Sequence, residues 1–401
     1  MIFSLALIIL IGFSLSGICT RLKLPGLLGM LVTGILLGPF VLDLISDDLL
    51  HISGELRKIA LIVILTRAGL SIDLKDLKKV GRPALFMCFL PATFEILAVT
   101  LITPLFFPIS YIEAAILGTV LAAVSPAVIV PRMITLIDEG YGKKNSIPQL
   151  IMAGASVDDI YVIVLFSVFM GIYQGEGFDI RSILNIPISI VFGVLLGILS
   201  GFVLVWIFKK LHLRDTMKVL LILSFAFLLI TFEEFISPWL AVSGLLAVMT
   251  QGITLLKRYE LLALRLKGKF NKIWVGAEIL LFVLVGAAVD ITYLPKAGIS
   301  AVFLIIIALT LRILGVYLSL LKTPIPLKER LFCAIAYLPK ATVQAAIGAL
   351  PLSQGVAAGN LILTIAVLSI LLTAPLGAIG IDLSYQKLLA VNNNNKGEIN
   401  L

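Results

Sequence analysis

The chain alternates between apolar runs and short charged connections. Thirteen runs can be marked, at residues 1–19, 26–42, 59–72, 83–107, 112–136, 147–172, 185–208, 217–236, 239–256, 273–290, 297–320, 329–349 and 359–380. A helix rises about 1.5 Å per residue, so most of these runs are long enough to cross a hydrocarbon core of ~30 Å. The pattern predicts an all-α polytopic membrane protein with about 13 transmembrane helices. The first run has no basic stretch before it and is long enough to span, so it reads as a helix and not as a cleaved signal. Residues 381–401, ending V-N-N-N-N-K-G-E-I-N-L, read as a short polar cytoplasmic tail.

Loop charge tests this division independently. The odd-numbered connections, with Arg132, Lys218 and Arg330 at the adjoining run ends, and the tail carry 24 of the 31 Lys and Arg residues. The even-numbered connections hold only Arg57, Lys58, Arg181 and Lys296, while Arg67, Arg312 and Lys340 fall inside runs. Basic residues mark cytoplasmic loops, which predicts an outside N-terminus and a cytoplasmic C-terminus. A miscounted run would have scrambled this alternation. Composition agrees, because 60% hydrophobic and 13% charged residues contrast with about 25% charged in a soluble domain. The net charge of +8 then follows from topology, and no nucleic-acid partner is expected. Cys19, Cys88 and Cys333 sit in apolar runs at no ligand spacing, and His51 and His212 lie far apart. Neither an enzyme nor a cofactor is indicated.

The informative residues are the charges inside the runs. Asp158 and Asp159 stand side by side in the sixth run. Asn145-Ser146 as a cap and Pro148 in the first turn predict a helix starting near Ile147. Asp158 then lies about 16 Å along it, close to the membrane midplane. A charge there costs about 2.5–3.5 kcal/mol, so the pair reads as an ion or proton site, the alternative being a satisfied structural pair. Successive helical side chains point about 100° apart, so the two carboxylates face different neighbours and do not form a protease-like dyad. Glu95 is a further intramembrane acid, in the middle of the fourth run.

Two runs are interrupted by proline. The fifth carries V-L-A-A-V-S-P-A-V-I-V-P-R-M, with Pro126 in mid-run and Ser125 and nearby carbonyls as neutral oxygens. A simple proline kink is the alternative to a broken, ion-binding helix. The twelfth carries A-Y-L-P-K-A-T-V-Q-A-A-I-G, with Pro339 beside Lys340 and Thr342. Runs four to six are acid-bearing, proline-broken and long; runs eleven to thirteen are base-bearing (Arg312), proline-broken and long. The triplets start on opposite sides of the membrane, which is an inverted-topology repeat with two crossed broken helices. Arg67 reads as a snorkelling residue, with ion entry as the alternative. Glu233 and Glu234 are solvated loop residues or a cation-attracting mouth. Glu278 faces a vestibule, lines a subunit contact or is neutral. The small residues of G-L-L-G-M-L-V-T-G-I-L-L-G-P suit a helix interface, including a dimer contact.

Three segments in order, A-V-S-P-A-V-I-V-P, G-Y-G-K-K-N-S-I-P-Q-L-I-M-A-G-A-S-V-D-D-I and L-P-K-A-T-V-Q-A-A-I-G, strongly resemble the monovalent cation:proton antiporter superfamily, as does L-T-R-A-G-L-S-I-D. The resemblance is to the NHA-type sodium/proton exchanger branch with the Asp-Asp motif. It implies a dimer domain plus a six-helix core domain that moves as an elevator. On that pattern residues 1–72 and 217–290 are dimerisation or scaffold helices, 83–172 and 297–380 the ion-translocating core, and 185–208 a linker helix. It implies a homodimer in the cell membrane exchanging Na⁺ or Li⁺ for H⁺. Cation and proton would compete for Asp158 and Asp159, with Asp159 the main carrier, Ser125 and Lys340 close by, and Glu95 and Arg312 a buried ion pair. One departure stands out. Many bacterial relatives have lysine where this chain has Arg312, and arginine effectively never loses its proton, so their stoichiometry does not carry over. A K⁺/H⁺ antiporter of the same fold is the alternative. An organic-anion symporter fits the acidic midplane less well.

Overall fold

The computed structural model describes residues 1–71, 81–176, 180–236, 239–240, 242–290 and 294–390, without the side chains of 127, 138, 156, 176–187, 234 and 294–297. Asp73, the loop lysines near it and residues 391–401 of the tail therefore lie outside the described residues, as do the side chains of Arg181, Glu234 and Lys296.

Among the described residues there is no strand. The helices are, in order, α1 (Ile2–Arg21), α2 (Gly26–Leu37), α3 (Asp47–His51), α4 (Ser53–Gly69), α5 (Arg82–Met87), α6 (Leu90–Phe106), α7 (Tyr111–Ala122), α8 (Pro126–Asp138) and α9 (Ile147–Gly171). They continue as α10 (Ile180–Lys210), α11 (Asp215–Ile236), α12 (Gly244–Arg258), α13 (Glu260–Ala287), α14 (Leu294–Ser319), α15 (Leu327–Ala336), α16 (Thr342–Ile347), α17 (Leu350–Ser353) and α18 (Gly359–Leu388). Among the described residues, eight stretches are long and apolar enough to cross a membrane, and shorter apolar helices lie between them.

The helices turn large apolar side chains outward as well as inward, and bury polar and charged ones among them, unlike a water-soluble protein. On α6, Glu95, Val99 and Thr103 are buried while Leu97, Leu101 and Leu105 are exposed. On α14, Arg312 is fully buried whereas Ile299, Phe303 and Ile306 face outward. Such a surface is stable only against lipid tails, where buried side chains must satisfy one another.

Two boundaries differ most from the hydropathy reading. The tenth run begins at 273, yet α13 starts at Glu260, so Arg265, Lys267, Lys269 and Lys272 ride on a helix and not in a loop. Hydropathy marks where a helix leaves the apolar layer, while helix propensity is high for Arg, Lys and Leu alike. For the same reason α18 continues through Leu388, into the stretch read as tail.

The chain forms two compact units. The first comprises Met1–Phe13, Met30–Ile72 and Ile163–Ala288. In it α4 packs on α12 and α13, and α12 packs on α10 and α11. Gln251 on α12 ties that group together, with Ser200 Oγ donating to its Oε1 at 3.0 Å and its Nε2 donating to the Ile222 carbonyl at 3.1 Å. The second unit comprises Ser14–Gly29, Asp73–Val162 and Val289–Leu401. There α6 lies between α7 and α14, and α18 packs along α15.

The small-residue stretch is used inside the chain. A Cβ on Gly34 would strike the Val283 carbonyl, and one on Gly286 the Leu31 carbonyl. Gly29 similarly admits the backbone of Leu15. These glycines bring α2 against α13 and α1, so the stretch makes a helix interface within the chain. Close approach of backbones is how helices bind without a hydrophobic driving force. Gly34→Val should therefore destabilise the protein by about 1–3 kcal/mol through overpacking. Gly268→Ala, with open space around the new methyl, should be neutral or stabilising. Melting curves of the two variants in detergent check this contrast.

Candidate functional site

Each of the two proline-bearing runs folds as a pair of half-helices around an extended break. In the first, α7 stops at Ala122, and Ala123 (φ −70°, ψ 141°) and Ser125 (φ −90°, ψ 108°) are extended. Pro126 then occupies the first position of α8. The cause is local: proline disfavours the helical region for the residue before it, and its missing N–H is harmless at a helix start. In the second, Tyr337–Ala341 separate α15 from α16, with Pro339 inside the break and the buried Thr342 opening α16. The breaks meet directly, since the Ser125 N–H donates to the Pro339 carbonyl at 2.9 Å. The order of one helix, two half-helices and one long helix thus occurs twice along the chain, the second time with the short α17 before the long helix.

Breaking a helix strands backbone groups that lipid cannot satisfy. Here side chains take them up. The carbonyls of Leu121 and Ala123 accept from Gln344 Nε2 at 3.2 and 2.7 Å, and Ala122 O accepts from Arg312. The Val124 N–H donates to Asp158 Oδ2 at 2.9 Å. The Lys340 N–H donates to Thr373 Oγ1 at 2.9 Å, and the Ala341 N–H to Gln344 Oε1 at 2.8 Å. The carbonyls of Leu121, Ala122 and Ala123, near Ser125, thus each accept from a protein donor.

Arg312, from α14, is the centre of this arrangement and is fully buried. Its Nε donates to the Tyr337 carbonyl at 2.8 Å, one terminal nitrogen to Glu95 at 2.7 Å, and the other to Asp158 at 2.9 Å. Its guanidinium also lies over the Tyr337 ring, 5.4 Å from the centroid. Lys340 Nζ donates to the same Glu95 oxygen at 2.6 Å. Its salt bridge is thus with Glu95, where the resemblance placed it near the aspartates. Tyr337 reaches its position because Gly154 on α9 has no side chain; a Cβ there would meet the tyrosine hydroxyl.

The two aspartates have different surroundings. Asp158 is fully buried, and its Oδ2 accepts from both Arg312 and the Val124 N–H. Asp159 is half-buried. Three enclosed side-chain oxygens, Asp158 Oδ1, Asp159 Oδ1 and Ser125 Oγ, have no hydrogen-bond partner. Enclosed oxygens of this kind are costly unless something else binds them.

The structure brings Asp158, Glu95, Arg312, Lys340 and both breaks into one network, with Ser125 and Thr342 at the breaks and Asp159 next in chain to Asp158. Gln344 and Tyr337 were not singled out from the sequence, although a glutamine inside an apolar run, five residues past the proline that breaks it, is a visible signal. Arg67 and Glu278 belong to the first unit. Arg67 lies 5.9 Å from the Trp274 ring centroid, and Glu278 shares a side-chain hydrogen bond with Trp274. Intramolecular contacts thus engage both.

Comparison with known proteins places this geometry. Residues 5–383 match the family described as sodium/hydrogen exchanger, transmembrane. Human sodium/hydrogen exchanger 9B2 is 35% identical over 410 residues, covering 97% of this chain and 75% of its own. Human sodium/hydrogen exchanger 9B1 is 33% identical, with 91% and 73% covered. Among solved structures, the sodium proton antiporter MjNhaP1 from Methanocaldococcus jannaschii aligns with a TM-score of 0.83 at 22% identity, covering 96% of this chain and 97% of that one. At that identity the likeness is one of fold.

Glu95 holds two buried cations with one oxygen. Glu95→Ala should lower stability by about 3–5 kcal/mol, as for other buried pairs broken from one side. Glu95→Gln, which keeps the volume and one acceptor oxygen, should lose less. Thermal unfolding in detergent measures both, and a Glu95→Ala variant that melts like the parent would contradict the network.

Proposed function

The chain belongs to the sodium/hydrogen exchanger family, and from that premise we propose that it exchanges Na⁺ or Li⁺ for H⁺ at the crossing of its two broken helices. The observation that carries this reading is the set of three unpartnered oxygens, Asp158 Oδ1, Asp159 Oδ1 and Ser125 Oγ, beside a break whose Val124 and Ser125 N–H groups are already engaged. A hard cation takes oxygen ligands, so this trio suits a dehydrated alkali ion or a proton.

Charge counting supports Asp159 as the carrier. Glu95, Asp158 and Asp159 contribute three negative charges; Arg312 and Lys340 contribute two positive ones. Asp158 is neutralised by Arg312, and Glu95 by Lys340 and Arg312 together, which leaves one negative charge on Asp159. Arginine does not release its proton, so the Asp158 pair is permanent. Asp159 then takes up either one cation or one proton. The empty site carries net charge and is costly to move past apolar surfaces, while either load makes it neutral. Competition at one carboxylate, combined with alternating access, is sufficient for antiport.

The finer architecture belongs to the same proposal. It comprises thirteen membrane helices, related triplets of opposite orientation, a core that moves as an elevator against a dimerising scaffold, an outside N-terminus and a cytoplasmic C-terminus. The basic residues of the odd connections support that orientation, and the twofold order of half-helices supports the inverted repeat.

The test is proton flux in proteoliposomes on addition of Na⁺, Li⁺ or K⁺ at several clamped voltages. Na⁺- or Li⁺-driven flux that is lost in Asp159→Asn, with folding retained, is expected. Flux should be indifferent to voltage, because one proton replaces one cation. Undiminished exchange by Asp159→Asn sinks the carrier assignment, and marked voltage dependence sinks the one-to-one count. A response to K⁺ alone makes the protein a K⁺/H⁺ antiporter, and silence to all three cations directs attention to organic anions.

A further inference from the structure

We propose that Gln344 is a positioning residue that sets the affinity of the site for its cation by holding the first break in register with the second. The proposal rests on the exchange reading above for its cation, and on geometry alone for its mechanics.

Gln344 is fully buried on the short helix α16, one turn beyond the second break. An amide offers one acceptor oxygen and two N–H donors. Here Oε1 accepts from the Ala341 N–H, and Nε2 donates to the Leu121 and Ala123 carbonyls. These partners fix the orientation of the amide, because a carbonyl can only accept and a backbone N–H can only donate. One side chain thereby caps the C-terminal end of α7 and the N-terminal end of α16, two sets of groups that a membrane interior leaves without water.

The clamped residues flank the atoms that face the proposed ion. Leu121 and Ala123 are held by Gln344, and Ala122 between them by Arg312. The next two residues are Val124, whose N–H binds Asp158, and Ser125, whose Oγ is one of the unpartnered oxygens. Moving the Ala123 carbonyl therefore moves both the donor that orients Asp158 and an oxygen offered to the cation. An alkali ion is held by distance-sensitive oxygen contacts, so slack in this segment weakens binding more than it alters the maximum rate of the cycle. A glutamine serving only to fill and stabilise the core would affect unfolding and leave cation affinity alone.

The experiment compares the full-length parent with Gln344→Met and Gln344→Glu, by amide hydrogen exchange and by Na⁺-driven proton flux in proteoliposomes. Methionine keeps the length of the side chain and removes all three hydrogen bonds. The amides of Val124 and Ser125 should exchange faster in this variant, while those of α12 keep their protection. The half-saturating Na⁺ concentration should rise roughly ten-fold, with the maximum rate retained. A buried glutamic acid stays neutral and keeps one donor and one acceptor, so Gln344→Glu should fall between the two. Combining Gln344→Met with Ser125→Ala should raise half-saturation by less than the two separate effects combined, because both act on one segment. Unchanged protection at Val124 and Ser125 overturns the proposal, as does a lower melting temperature with unchanged half-saturation. Should Gln344→Met fail to fold, Gln344→Glu decides by the same readouts. A parent protein that exchanges no cation refutes the exchange reading, and hydrogen exchange then decides the role of Gln344 alone.

Discussion

A guanidinium with no access to water organises the second unit. Arg312 carries a charge that cannot be discharged by losing a proton, and leaving it unpaired in the membrane interior would cost several kcal/mol. Its planar fork meets this demand by reaching four places at once: Glu95 on α6, Ala122 at the end of α7, Asp158 on α9 and Tyr337 in the second break. A lysine could supply the charge but not the fixed directions of the donors. The elements that contribute the acceptors are thereby held around one residue.

The two broken helices show how the same constraint shapes the backbone. Proline ends a helix at little cost in water, where the freed groups find solvent. In an apolar layer every freed carbonyl and N–H must find a protein partner. In the two breaks, groups of residues 121–125 and of Tyr337, Pro339, Lys340 and Ala341 find partners in each other and in Gln344, Arg312, Asp158 and Thr373. Beside them stand side-chain oxygens without a partner, Asp158 Oδ1, Asp159 Oδ1 and Ser125 Oγ, and the proposed function follows from them. Unpartnered side-chain oxygens beside a hydrogen-bonded break are the arrangement expected where a mobile ion is to bind and leave.

The first unit solves a different problem with different means. Its contacts rely on glycines that let backbones touch, as at Gly34, Gly69 and Gly286, and on the single buried amide of Gln251. Dispersion between close backbones depends little on direction along the membrane, whereas the charge network of the second unit is sharply directional. The pairing of Arg67 with Trp274 shows that even a charge in the first unit is held by a ring face.

The sequence by itself determined the class of protein, because long apolar runs and a basic bias of alternate loops leave few alternatives to a multi-pass membrane protein. It also marked Glu95, Asp158, Asp159, Arg312 and Lys340, since a charge inside an apolar run stands out without any structure, and the two prolines that end α-helical geometry. Helix ends at α13 and α18 were not legible, because charged helix formers continue a helix beyond the apolar layer. The glycine stretch in α2 read equally well as a contact between or within chains, and only tertiary packing assigned it to α13 and α1. Tertiary structure alone added Asp158 and Lys340 to the Glu95–Arg312 pair that the resemblance implied, and decided why two adjacent aspartates differ. Their side chains are chemically identical; a backbone N–H from residue 124 and a guanidinium from residue 312 distinguish them. Those partners are remote in sequence and partly main-chain atoms, which no residue pattern encodes.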